Sequence, residues 1–177
     1  MAKKAKKTKK ATKVRKVNPI PAGFHTITPS LVVRDAAKAV EFYQKALGAK
    51  VRGVHYTPDG KVMHAEVKIG DSIFFFNDEF PDMKAFSPLA LGGSAVTLHI
   101  YCKEVDAAFE RAVGAGAKVL MPVMDTFWGD RYGQLEDPFG HRWSIASRKE
   151  NLSQKEMEKR AQEFFVKAAA QGKAAGA

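Results

Sequence analysis

One cysteine in 177 residues, Cys102, excludes an internal disulfide framework. No run of about 18 apolar residues is present to cross a bilayer as a helix, so no membrane partner is expected. The basic N-terminus lacks the apolar stretch that follows the charged end of a secretory signal. A reducing, cytoplasmic setting is therefore the expectation. Residues 1–16 contain no acid and no aromatic, yet hold nine Lys or Arg. Subtracting these nine from the 29 basic residues of the chain leaves 20 against 19 acids, so the net charge of +10 belongs to the tail. A segment this poor in large apolar groups cannot offset the entropy of ordering and is expected to be disordered. It suits nonspecific, salt-sensitive contact with nucleic-acid phosphates, or a purely solubilising role; without aromatics it has no means of stacking on bases.

The remainder, 45% hydrophobic and 27% charged over the whole chain, has the composition of a globular protein. The Pro19 and Pro21 region closes the tail at about residue 22. Leu31, Val32 and Val33 read as a strand. Residues 35–47 read as a helix with Ala36, Val40, Tyr43 and Leu47 on one stripe, Asp35 as N-cap and Gly48 as stop. Lys50–Tyr56, Val62–Ile69 and Ile73–Phe76 follow as strands joined by turns at Pro58-Asp59-Gly60 and Gly70-Asp71. The same β-α-β-β-β order returns as Val96–Cys102, Val105–Val113, Lys118–Pro122, Tyr132–Glu136 and Arg142–Ala146. Gly48-Ala49-Lys50-Val51 recurs as Gly116-Ala117-Lys118-Val119, each just past the helix. Modules of about 55 residues are too small to bury a good core alone and should pack together. The expected division is a tail over 1–22, one domain over 23–149 with modules at about 24–80 and 94–149, a C-terminal helix over 150–168 and a flexible end over 169–177. Ser153 with Glu156 fits a capping box for that helix, and Met157, Ala161, Phe164 and Phe165 give it an apolar stripe.

The duplicated pattern, with Asp35-Ala36-Ala37-Lys38-Ala39-Val40-Glu41-Phe42-Tyr43 leading to Leu47-Gly48, and Trp128-Gly129-Asp130-Arg131-Tyr132 leading to Asp137-Pro138-Phe139-Gly140-His141, resembles the vicinal oxygen chelate (VOC) superfamily. It is most similar to the glyoxalase/bleomycin-resistance branch and, within it, to PhnB-type proteins. The resemblance covers residues 24–149 and implies an α+β fold of paired βαβββ modules, a curved, cup-like mixed sheet with helices outside, and a homodimer. Its functions range from lyases, dioxygenases, epimerases and transferases to metal-free drug-binding proteins.

The enzymes of that superfamily hold a divalent metal with four side chains, two from each repeat. Carried over by motif, the slots fall at Thr28, Thr97, Phe74 or Phe75, and Ser144. Hydroxyls bind such metals weakly and phenyl rings not at all, so no metal cofactor is expected. His64 and Glu66 share one face of their strand, and His99 lies two residues beyond Thr97. Two readings stand for these three: a relocated metal site or acid–base pair serving a lyase or dioxygenase, or polar residues of a solvated pocket. Phe75, Trp128, Tyr132 and Trp143 supply aromatic area for a small organic ligand, and Arg131 suits either an anionic ligand group or an ion pair with Glu136 or Asp137. Cys102 reads as a small buried hydrophobe, and His141 as a surface residue of its turn.

Overall fold

A computed structural model describes residues 17–174; the basic segment 1–16 and the last three residues lie outside them. The first module runs β1 (Ser30–Val33), α1 (Ala36–Leu47), β2 (Lys50–Tyr56), β3 (Val62–Ile69) and β4 (Ser72–Asp78). A linker carrying the short helix α2 (Pro88–Leu91) leads to the second: β5 (Thr97–Tyr101), α3 (Val105–Gly114), β6 (Lys118–Asp125), β7 (Asp130–Glu136) and β8 (Arg142–Arg148). Helix α4 (Gln154–Ala174) follows, continuing past residue 168. Each module forms its own four-stranded mixed sheet, ordered β1-β4-β3-β2 and β5-β8-β7-β6, with the first strand of the module parallel to the last. The expected paired βαβββ modules are thus present, and the two sheets are not closed on one another.

Alternation along the strands sets which face is buried. In β3, Ala65 and Val67 face the core while His64 and Glu66 face away; in β8, Trp143 and Ile145 face the core while Ser144 faces away. Helix α1 buries Ala36, Ala39, Phe42, Tyr43, Ala46 and Leu47. Gly48, at φ 66°, ends α1 in a left-handed turn that a side chain would strain, and Gly116, at φ 112°, follows the Ala115 cap of α3 with a positive φ of its own. This conformational need accounts for the glycine that opens each Gly-Ala-Lys-Val copy.

The modules meet through α1 and α3. The Arg111 guanidinium donates to the Ala46 carbonyl at 3.1 Å, and the Tyr43 ring packs edge-on or tilted against Phe74, Phe76, Phe139 and Trp143. Asp137 lies within this core. Its Oδ1 accepts from the Phe139 and His141 amides, each at 2.9 Å, and its Oδ2 accepts from Tyr43 Oη at 2.9 Å and Trp143 Nε1 at 2.8 Å. His141 is buried as well, with Nε2 3.0 Å from the Val32 carbonyl. The surface position expected for it fails because it reaches across the module boundary to a carbonyl on the first module's edge strand.

A second polar knot fixes the linker. Glu79 accepts from the Ser87 hydroxyl and amide, and from Arg34 Nε at 3.1 Å. The Ser87 hydroxyl, followed by Arg34, holds the Glu79 carboxyl down at about 2, below its ordinary 4.5. Because the folded value is depressed, the stability it contributes is complete above about pH 4.5 and disappears as pH falls toward about 2. Denaturant titrations of Glu79→Gln and wild type are expected to differ most near neutral pH, to approach one another below about pH 4.5 and to converge only as pH falls to about 2. A difference independent of pH would remove the ion pair and hydroxyl contact as its cause.

Candidate functional site

Every second residue on β5, β7 and β8 points away from α3, and polar and aromatic contacts run among His99, Tyr101, Asp130, Tyr132, Gln134, Ser144 and Arg148 on that face. In register, His99 is opposite Ser144, Gln134 opposite Ser144, and Tyr132 opposite Ala146. His99 Nδ1 lies 2.7 Å from Ser144 Oγ. Its ring packs edge-on against Tyr101 at 4.5 Å and stacks on Tyr132 at 5.9 Å. Tyr101 Oη donates to Asp130 Oδ2 at 3.0 Å, Arg148 Nε donates to Asp130 Oδ1 at 2.6 Å, and the Gln134 amide donates to Tyr132 Oη at 2.5 Å. Trp128 closes the row 5.5 Å from Tyr132. Desolvation by burial lowers the His99 pKa, against the pull of the Asp130 carboxylate, which favours a neutral imidazole at pH 7. Such a ring offers one donor and one acceptor, and the Ser144 contact takes one of the two.

His99 also stands at the edge of a groove of about 430 Å³ between the modules. Ile69, Ile73 and Phe74 form one wall; Leu98, Ile100 and Trp143 form the other, with Tyr101 beside His99. That volume and an apolar lining with a few polar groups suit a small organic molecule.

The remaining residues singled out from sequence are dispersed. Trp143 lines the groove from the core side. Phe75 lies on the open face of the first sheet, 4.7 Å from His64 and 5.7 Å from Phe24. Glu66, on the same face, is held by Arg52 at 2.8 Å. Arg131 points to the α3 side of β7, where its guanidinium pairs with both Asp106 oxygens at 2.6 and 2.7 Å and with Asp125 at 3.1 Å. Its ion-pair partners are therefore not Glu136 or Asp137, since Asp137 is already saturated by donors in the core. The Phe127 ring, next to Trp128, packs against Phe164 and Phe165 of α4. The pairings of Ser144 with His99 and of Tyr101 with Asp130 have no signal in the local sequence, where Ser144 reads only as a poor metal ligand.

The residues at the family's metal slots do not fit a chelate. Phe74 faces the core, Phe75 is occupied by aromatic contacts, and Ser144 Oγ is engaged by His99. Among the described residues no three His, Cys, Asp or Glu side chains gather as a metal would need, so His64, Glu66 and His99 do not assemble within one chain. Among the same residues no helix is long and apolar enough to cross a membrane.

Two βαβββ modules joined through their helices, each with one face of its sheet left open, define the vicinal oxygen chelate architecture. The profile of the Glyoxalase/Bleomycin resistance protein/Dioxygenase superfamily matches residues 23–145, and the chain belongs to that superfamily. It is 47% identical over 122 residues to the uncharacterized protein Rv0887c of Mycobacterium tuberculosis, covering 67% of this chain and 72% of that protein. The crystal structure of the Arabidopsis thaliana gene product At5g48480 superposes with a TM-score of 0.57 and 31% identity, covering 70% of this chain and 98% of that one. A PhnB protein from Bacillus cereus, at 21% identity, shares the fold with a TM-score of 0.54 over 70% of this chain and 99% of its own.

Proposed function

We propose that the protein binds a small organic molecule in the groove between its modules, with the apolar body between Ile73 and Leu98 and a polar group on His99, and without the metal centre of its enzymatic relatives. The observation that carries this reading is the position of His99, a ring disfavoured as a cation that joins an apolar groove to a hydrogen-bonded cluster. Where the ligand carries an acidic proton, the same imidazole serves as its base. A homodimer belongs to this reading. Val119, Leu120, Met121 and Met124 of β6 are exposed and the sheets are open, so a second copy has apolar surface to cover.

The test uses the fluorescent aromatic anion anilinonaphthalene sulfonate. One saturable site per chain is expected, weakened about tenfold by His99→Ala and abolished by Leu98→Trp, which fills the groove. Undiminished binding by a folded Leu98→Trp variant would move the site elsewhere, to surfaces such as the exposed Phe164 and Phe165 stripe of α4.

A further inference from the structure

The open face of the first sheet carries a histidine that the reading of the groove leaves unused. His55 on β2 stands directly opposite His64 on β3 in the antiparallel register, and the two imidazoles stack at 27° with centroids 6.2 Å apart. A metal–imidazole bond is about 2.0–2.1 Å, so two rings sharing one ion have centres about 5–6 Å apart. The observed pair is within a small side-chain rotation of that spacing. His55 is exposed and free to make the rotation, whereas His64 is half-buried and backed by Phe75 at 4.7 Å. Space for an ion is provided by Gly53, which lies on the same face two residues before His55. The His55 Nε2 atom hangs 3.9 Å from the point where a Cβ at Gly53 would sit, so the absent side chain leaves the nitrogen uncovered. Opposite Gly53 is Glu66, whose carboxylate Arg52 holds at 2.8 Å.

We propose that His55 and His64 form a cross-strand chelate for a borderline divalent transition ion such as nickel, copper or zinc, with water completing the coordination sphere. Imidazole donors select these ions over magnesium and calcium, which take oxygen ligands. This site is separate from the family's slots on the first and last strands of each module, and it stands or falls independently of the groove around His99. Its bound ion ties β2 to β3 across a pairing whose register shifts between His55 and Tyr56. The Arg52 pair keeps Glu66 from serving as a third ligand, so the site has two protein donors and exchanges its ion readily.

Calorimetric titration of the untagged full chain with nickel chloride tests this. One ion per chain is expected, and magnesium chloride should give no binding. Replacing either histidine, as His55→Gln or His64→Gln, is expected to weaken nickel binding about tenfold or more, because the second donor binds at high effective concentration once the first is engaged. His25→Ala should leave the affinity unchanged. His55 is exposed, so His55→Gln retains the fold and decides the question even where His64→Gln disturbs packing on Phe75. Unchanged affinity in a folded His55→Gln variant, or an equal loss in His25→Ala, would overturn the chelate.

Discussion

Asp137→Ala is expected to lower the unfolding free energy by about 3–5 kcal/mol, among the largest effects available to a single substitution here. The carboxylate accepts four hydrogen bonds inside the junction of the modules, so its removal takes the acceptor from four buried donors at once. Each donor left without a partner costs about 1–3 kcal/mol, and the Trp143 indole and the two amides cannot accept a hydrogen bond in return. Asp137→Asn should fall between wild type and alanine. One amide oxygen can still serve the Phe139 and His141 amides, but the amide nitrogen then confronts the Trp143 N–H, donor against donor. Trp143→Phe introduced into the asparagine background is expected to recover part of the loss. Chemical denaturation of the four proteins, followed by far-UV circular dichroism, reads all of these. A loss below about 1 kcal/mol for the alanine variant would mean that water satisfies the donors Asp137 leaves behind, and would remove the four-bond acceptor as a major stabiliser of the junction.

The same group has a distinct pH signature. Burial pushes the Asp137 carboxyl above its ordinary value, although the Trp143 indole and the His141 ring and amide pull it down. A carboxyl raised on folding binds its proton more tightly in the native state, so its contribution declines as pH rises from the ordinary carboxylate range through the raised value. That trend is opposite in sign to the one for Glu79, whose depressed value makes its contribution decline with acid. The aspartate is therefore the junction's tolerance of acid and the glutamate is the linker's sensitivity to it.

Local pattern carries most of the secondary structure and little of the site. Alternation in residues 62–69 and the glycine stop at residue 48 are encoded in neighbouring residues, and β2, β3 and the end of α1 fall where they are expected. The repeat supplies the pairing of modules, because two half-cores need one another. Bonds between distant residues were not legible. Tyr43 and Asp137 are 94 positions apart, and His99 and Ser144 are 45 apart, so nothing in their local sequence announces the contact. Asp137-Pro138-Phe139-Gly140 is a turn, as its Pro and Gly suggest, yet its aspartate, which sequence offers as an ion-pair partner for Arg131, is turned into the core toward Tyr43 and Trp143. Arg131 shows the reverse: strand parity alone places it opposite Tyr132, on the α3 side, where Asp106 in the first turn of α3 is in reach. Parity along β7 separates the two faces: Gly133 and Arg131 turn toward α3, and Tyr132 and Gln134 turn to the open face.

Gly133→Ala is expected to cost about 1–3 kcal/mol and to disturb the polar cluster on the opposite face of its strand. Gly133 is buried in β7, and a Cβ there would lie 2.6 Å from Phe109 Cε2, 2.9 Å from Phe109 Cδ2 and 3.0 Å from Val123 Cγ2. Phe109 is itself buried on α3, so its ring cannot swing into solvent without giving up the contact that holds the helix to the sheet. Either α3 withdraws or β7 moves outward, and in the second case Tyr132 and Gln134 leave His99 and Ser144. The cause is steric, so shrinking the neighbour should relieve it. Phe109→Leu alone is destabilising, but combined with Gly133→Ala it should give a double-mutant coupling of about 0.5–3 kcal/mol in the favourable direction. The proton resonances of the His99 ring report the other face, where Gly133→Ala is expected to shift them and the double variant to return them toward wild type. Additive losses with an unmoved His99 spectrum would show that β7 absorbs the methyl group without passing the strain to the site.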